Sequence, residues 1–176
     1  MDGDRVYFGL GNGRLTQSVT PPEKPTGAVL CVAAATGELL WRRDLGDAVF
    51  AKAAVGAGRV YVGSRDGRCY CLDRRDGREC WRVDMGSPVV TQPAVAGLRL
   101  YLAAIDGRVC CLDAEDGKVR WTFDVAAHAG AKAVLVSSPV VVAEPGDAGG
   151  RRVYFGAELR GPVSNAAVLY CLSEGS

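Results

Sequence analysis

The stretch GRCYCLDRRDGRECW (residues 67–81) decides the fold, because it returns at a fixed interval. Forty residues on, at 107–121, it reads GRVCCLDAEDGKVRW, with eight of fifteen letters unchanged. A looser copy, GAVLCVAAATGELLW, lies forty residues upstream at 27–41. Each copy closes on a tryptophan: Trp41, Trp81 and Trp121. A period of about 20–50 residues marks a repeat architecture, in which each unit buries its faces by stacking on the next.

Working outward from 67–81, one unit reads as four short strands. AVFAKAAV (48–55) alternates weakly, and RVYVGS (59–64) is β-branched and aromatic. Asp66-Gly67 supplies the positive φ of a tight hairpin turn. RCYCLD (68–73) follows, then a second Asp-Gly turn at 76–77, then RECWRVD (78–84). RLYLAA (99–104) and RRVYFGA (151–157) repeat RVYVGS, while SSPVVV (137–142) repeats TQPAVA (91–96). The near-continuous apolar runs suit strands covered on both faces. Small residues at Gly9, Gly63, Ala103 and Gly156 keep those strands thin. No window of ten or more residues holds a 3.6-residue apolar period, so essentially no helix is expected. The reading is an all-β propeller segment over 1–176, with blades at about 5–44, 48–84, 89–124 and 134–176. Asp4–Gly9 aligns with a blade's second strand, and YCLSEGS (170–176) with YCLDRRDG (70–77). Two complete blades are therefore expected between two three-stranded ones. That pattern suits a piece of a longer propeller, or an arc that closes by self-association. The tryptophans are expected to wedge between blades, each worth about 1.5–3 kcal/mol or more when fully buried.

Bulk properties exclude several classes. Lys and Arg total 21 against 20 Asp and Glu, a formal charge of +1 with no basic stripe, so no footprint for nucleic acid is present. Apolar runs are strand-sized, so membrane insertion is not expected. MDGDRVYFG reads as mid-domain sequence and not as a secretory leader. Seven cysteines are an odd number, and Cys31, Cys71, Cys111 and Cys171 hold one repeat position. They read as small buried apolar residues.

The unit strand–DG–(Y/C)CLD–x–x–(D/T)G–x–x–x–W resembles the PQQ-like β-propeller repeat. The matching stretches are YVGSRDGRCYCLDRRDGRECW and YLAAIDGRVCCLDAEDGKVRW. The resemblance implies a seven- or eight-bladed propeller with tryptophans docked between blades. Family members include quinoprotein alcohol dehydrogenases, the outer-membrane barrel-assembly lipoprotein and non-enzymatic extracytoplasmic proteins. The resemblance thus points to the cell envelope or periplasm. Fold transfers within such a family and function does not. Cys71 and Cys111 stand where the family commonly has a small residue before Leu-Asp.

Three functions follow as expectations. The first is a non-catalytic scaffold that binds a protein partner or the remaining blades of a longer propeller. Its candidate interaction residues are Arg14, Glu23 and Lys24 in the loop 14–26, and His128 and Lys132 in the loop 126–134. Long irregular loops on a rigid scaffold are where function tends to sit. The second is part of a quinone-dependent alcohol dehydrogenase, which would hold PQQ and calcium at the centre. No calcium-loop spacing of acids is present, and Cys110-Cys111 sits inside a strand, where neighbours point to opposite faces. The third is a ligand-sensing domain. A thiol group at Cys69, Cys71 and Cys80 is the one metal or redox candidate, with Cys71 expected opposite Cys80 across the 74–77 turn. No GxSxG elbow accompanies the single histidine, and GLGNG (9–13) opens no helix.

Overall fold

Asp-Gly turns set the strand pattern. In blade two, Asp66 accepts from the Arg68 amide at 3.0 Å and Asp76 from the Arg78 amide at 2.9 Å. The structure, a computed structural model, describes residues 3–14, 20, 23–143 and 150–174. These residues form four antiparallel sheets in chain order. The first contains β1 (Arg5–Gly11), β2 (Gly27–Ala33) and β3 (Leu39–Leu45). The second contains β4 (Ala54–Gly56), β5 (Arg59–Gly63), β6 (Arg68–Asp73) and β7 (Glu79–Asp84). The third contains β8 (Ala94–Ala96), β9 (Arg99–Ala103), β10 (Arg108–Asp113) and β11 (Val119–Asp124). In the fourth, β14 (Arg151–Arg160) pairs with β15 (Asn165–Glu174) along one edge. Its other edge carries β13 (Val140–Ala143) and the short extra strand β12 (Lys132–Val134). Among the described residues the chain is an almost all-β segment of propeller blades: two with the four strands of the repeat, a three-stranded first sheet, and a fourth in which the short β12 joins three strands of the repeat.

The core is three slabs, one between each pair of adjacent blades. Val29 and Cys31 meet Val60, Val62 and Leu72 between blades one and two. Tyr61, Cys69 and Cys71 meet Leu100, Leu102 and Cys110 between blades two and three. Tyr101, Val109 and Cys111 meet Val153, Phe155 and Ala157 between blades three and four. Each slab removes both partners' apolar side chains from water, at roughly 25 cal/mol per Å². Cys110 and Cys111 fall in different slabs, as strand alternation requires.

Three local expectations are corrected. The strand read at 48–55 is only Ala54–Gly56, because the preceding residues bond across to other elements. The Val49 amide donates to the Leu10 carbonyl at 3.1 Å, and the Arg65 amide to that of Ala48 at 2.9 Å. A helix, α1 (Val125–Ala129), stands where none is expected. Asp124 caps it by accepting from the Ala127 amide at 2.9 Å, and Gly130 ends it in the left-handed conformation. Finally, Cys71 pairs with Trp81, not Cys80, because a β-bulge inserts Cys80 into β7. The same shift follows Cys31 and Cys111, so the bulge belongs to the repeat. Residues 15–19 and 21–22 of the first long loop, and 144–149 of the last, lie outside the described residues.

Candidate functional site

The bulge builds one row of side chains across each blade. Tyr7, Cys31 and Trp41 are cross-strand partners in blade one. Tyr61, Cys71 and Trp81 follow in blade two, and Tyr101, Cys111 and Trp121 in blade three. Tyrosine and tryptophan rings lean over the cysteine at 5.9, 5.9 and 6.1 Å between centroids. Burial raises the Cys71 and Cys111 thiols to about 12, so both stay protonated at neutral pH. In blade four the row is Tyr154 and Cys171 alone. No strand pairs with the outer edge of β15 among the described residues. Cys171 is exposed, whereas its three counterparts are buried.

Each tryptophan also reaches the next blade. The Trp41 ring lies over Gly77, where a Cβ would stand 2.6 Å from the ring, and its indole N–H donates to the Arg74 carbonyl at 3.0 Å. Trp81 lies over Gly117, and its N–H donates to the Ala114 carbonyl at 3.3 Å. The Tyr61 hydroxyl donates to that same carbonyl at 3.1 Å. At the third junction a side chain replaces the carbonyl. The Trp121 N–H donates to Glu174 at 2.7 Å, and the Tyr101 hydroxyl donates to the same carboxylate. Burial raises the Glu174 carboxyl, but donation from Tyr101, Trp121 and Cys111 and the charge of Arg99 hold it below the ordinary range. Sequence reading missed Glu174, although it aligns with Arg74 and Ala114.

A buried ion pair clasps blades one and two. Arg65 donates through Nε to Asp47 at 3.1 Å and through Nη2 to the second oxygen. The guanidinium also donates to the carbonyls of Asn12, at 2.7 Å, and Arg14. Both residues are buried. The equivalent positions downstream hold Ser87 and Ile105, so the clasp is private to this junction.

The candidate loop residues lie at one end of the blades. Strand direction alternates, so the loop after a second strand and the link after a fourth share an end. Arg14, Glu23 and Lys24 are exposed in the first kind, and His128 and Lys132 are exposed in the second. They sit on well-separated blades and form no single cluster. The His128 ring packs on Phe123 at 5.2 Å and Tyr170 at 6.0 Å, within an aromatic group that includes Phe155. Among the described residues no group of three His, Cys, Asp or Glu side chains is arranged to hold a metal ion. None of their helices is long and apolar enough to cross a membrane.

The innermost strands line a funnel of about 560 Å³. Its wall is Ala53–Val55, Gln92–Val95 and Ser138–Val141, with no acid, base or histidine. The Ser138 hydroxyl already accepts from the Gln92 amide at 2.9 Å.

A family model described as the outer membrane protein assembly factor BamB matches residues 25–169. Among solved structures, BamB from Moraxella catarrhalis is 19% identical, with a TM-score of 0.62 over 78% of this chain and 46% of its own. The quinohemoprotein alcohol dehydrogenase from Comamonas testosteroni is 19% identical, with a TM-score of 0.59 over 87% of this chain and 31% of its own. Sqt1 from Saccharomyces cerevisiae is 13% identical, with a TM-score of 0.60 over 84% of this chain and 41% of its own. This chain spans less than half the length of each of these structures. Identities this low convey fold alone. No curated protein matches the sequence.

Proposed function

Because the chain belongs to the PQQ-like repeat family described by the assembly factor BamB, we propose that it is a non-catalytic, protein-binding scaffold. Its binding element is the edge of β15 that no described strand pairs, which takes an extended strand either from the remaining blades of a longer propeller or from a partner protein.

The observation that carries this reading is the unfinished row at Tyr154 and Cys171. Three blades on the same chain say what belongs beside it: a strand with an indole opposite the cysteine. Strand addition supplies main-chain hydrogen bonds for affinity and side-chain seats for specificity. The surrounding face is apolar enough to gain from cover, with Leu169 at 72% exposure and Val140 at 58%. The setting we assign is the cell envelope, after the outer-membrane assembly role in the family's description. The dehydrogenase alternative receives no support from the funnel. A quinone bearing carboxylates, held with calcium, needs charged oxygen and nitrogen ligands, and this wall offers one amide and one hydroxyl.

The test is a synthetic peptide of residues 115–124, which contains β11 and Trp121, added to the whole chain. Alkylation of Cys171 should slow several-fold as peptide is titrated in, and a peptide with alanine for Trp121 should protect far less. Unchanged Cys171 reactivity at saturating peptide would contradict strand addition. Alcohol-dependent dye reduction after addition of PQQ and Ca²⁺ would contradict the non-catalytic reading.

A further inference from the structure

We propose that Cys71 and Cys80 form a peroxide-responsive dithiol between blades two and three, with Cys80 as the attacking thiol and Cys71 as the resolving one.

The bulge makes the pair. At each blade two residues of the outer strand face one cysteine of the third strand, and the second of the two is the tryptophan. The extra residue is Leu40 in blade one and Arg120 in blade three, and only in blade two is it a cysteine. Cys80 therefore stands beside Trp81 in the bulge opposite Cys71 across the strand pair. Cys80 packs on the same apolar slab that buries Cys69 and Cys71.

The two thiols differ in what surrounds them. Cys71 is fully buried and Cys80 half-buried, so an oxidant in solution meets Cys80 first. The Arg59 guanidinium donates to the Cys80 sulfur, giving the charge of an attacking thiolate a partner. Trp81, the cross-strand partner of Cys71, packs on the same slab.

The chemistry balances with a hydroperoxide as oxidant. The Cys80 sulfur attacks the peroxide, the O–O bond breaks and an S–O bond forms. The sulfur loses two electrons, the peroxide gains them, and the leaving oxygen departs as water, or as an alcohol from an alkyl hydroperoxide. The Cys71 sulfur then attacks the sulfenic sulfur, an S–S bond forms, and the S–O oxygen leaves as water with the Cys71 proton. Thiol reductant reverses the bridge.

The experiment treats the whole chain with a small excess of H₂O₂, blocks free thiols and maps peptides by mass spectrometry. The expected product is a Cys71–Cys80 bridge with loss of two hydrogens, quenched Trp81 emission, and recovery of both with dithiothreitol. Cys80→Ser should leave Cys71 reduced under the same treatment, while Cys69→Ser should still bridge. The proposal is overturned if Cys80 stays a thiol while Cys171 oxidises, if Cys80 ends as a sulfinic acid beside a free Cys71, or if the bridge joins another pair.

Discussion

Gly77 and Gly37 hold the same turn position in successive blades and differ in what lies over them. Both have positive φ, 71° and 73°, but Gly77 lies under the Trp41 ring while Gly37 has nothing within 4 Å of a Cβ. Alanine at either site pays about 1–2 kcal/mol for the left-handed backbone. Gly77→Ala must also displace an indole, at roughly 1–3 kcal/mol more. Urea unfolding of the two variants should therefore differ by that increment, and equal losses would mean the ring is not held there. Asp47→Ala takes the carboxylate from a buried guanidinium and should cost about 3–5 kcal/mol in the same assay. Glu174 gives a pH signature. Its carboxyl is held low in the fold, so the unfolded chain takes up the proton at higher pH than the folded one. The stabilisation is full above the ordinary carboxylate range and is lost as pH falls through the folded value. Glu174→Gln should thus lie furthest below the parent near neutrality and converge with it in acid. A gap that stays constant with pH would contradict the charged role.

At the scale of the element, legibility in the sequence followed repetition. Strands bounded by Asp-Gly turns recur at forty residues, and β5, β6, β9 and β10 fall where the turns place them. Features that occur once left no such trace. The helix α1 is five residues long, too short to set up an amphipathic period, though its caps at Asp124 and Gly130 were in plain view. The bulge is an exception: it recurs in three blades, yet it moved Cys80 out of register because counting through a turn cannot reveal an inserted residue. The Asp47–Arg65 clasp and the Glu174 carboxylate are departures from the repeat, and they become visible only when aligned blades are compared position by position. The unfinished row was half legible: Cys171 aligned with three buried counterparts, but only coordinates show that it is exposed. At this scale the prediction concerns β15. Leu169→Lys, on its exposed face, should leave the urea midpoint within about 0.5 kcal/mol of the parent, as surface changes do. A larger loss would mean that this face is already covered in the free chain.

Across the whole molecule, each blade shares an apolar slab with the blade beside it, so stability is a sum of blade terms and junction terms. The three junctions are built alike: an apolar slab, a tyrosine–tryptophan pair, and an indole N–H latched to the next blade. The account's central claim is that these indoles couple one blade to the next. Hydrogen exchange of Trp81→Ala measures this most directly. Loss of the ring and its bond to the Ala114 carbonyl should lower the protection of central strands in both adjoining sheets, β6 and β10, while β14 keeps its own. Loss confined to the β4–β7 sheet, with β10 unchanged, would show that Trp81 serves only its own blade and would contradict the account.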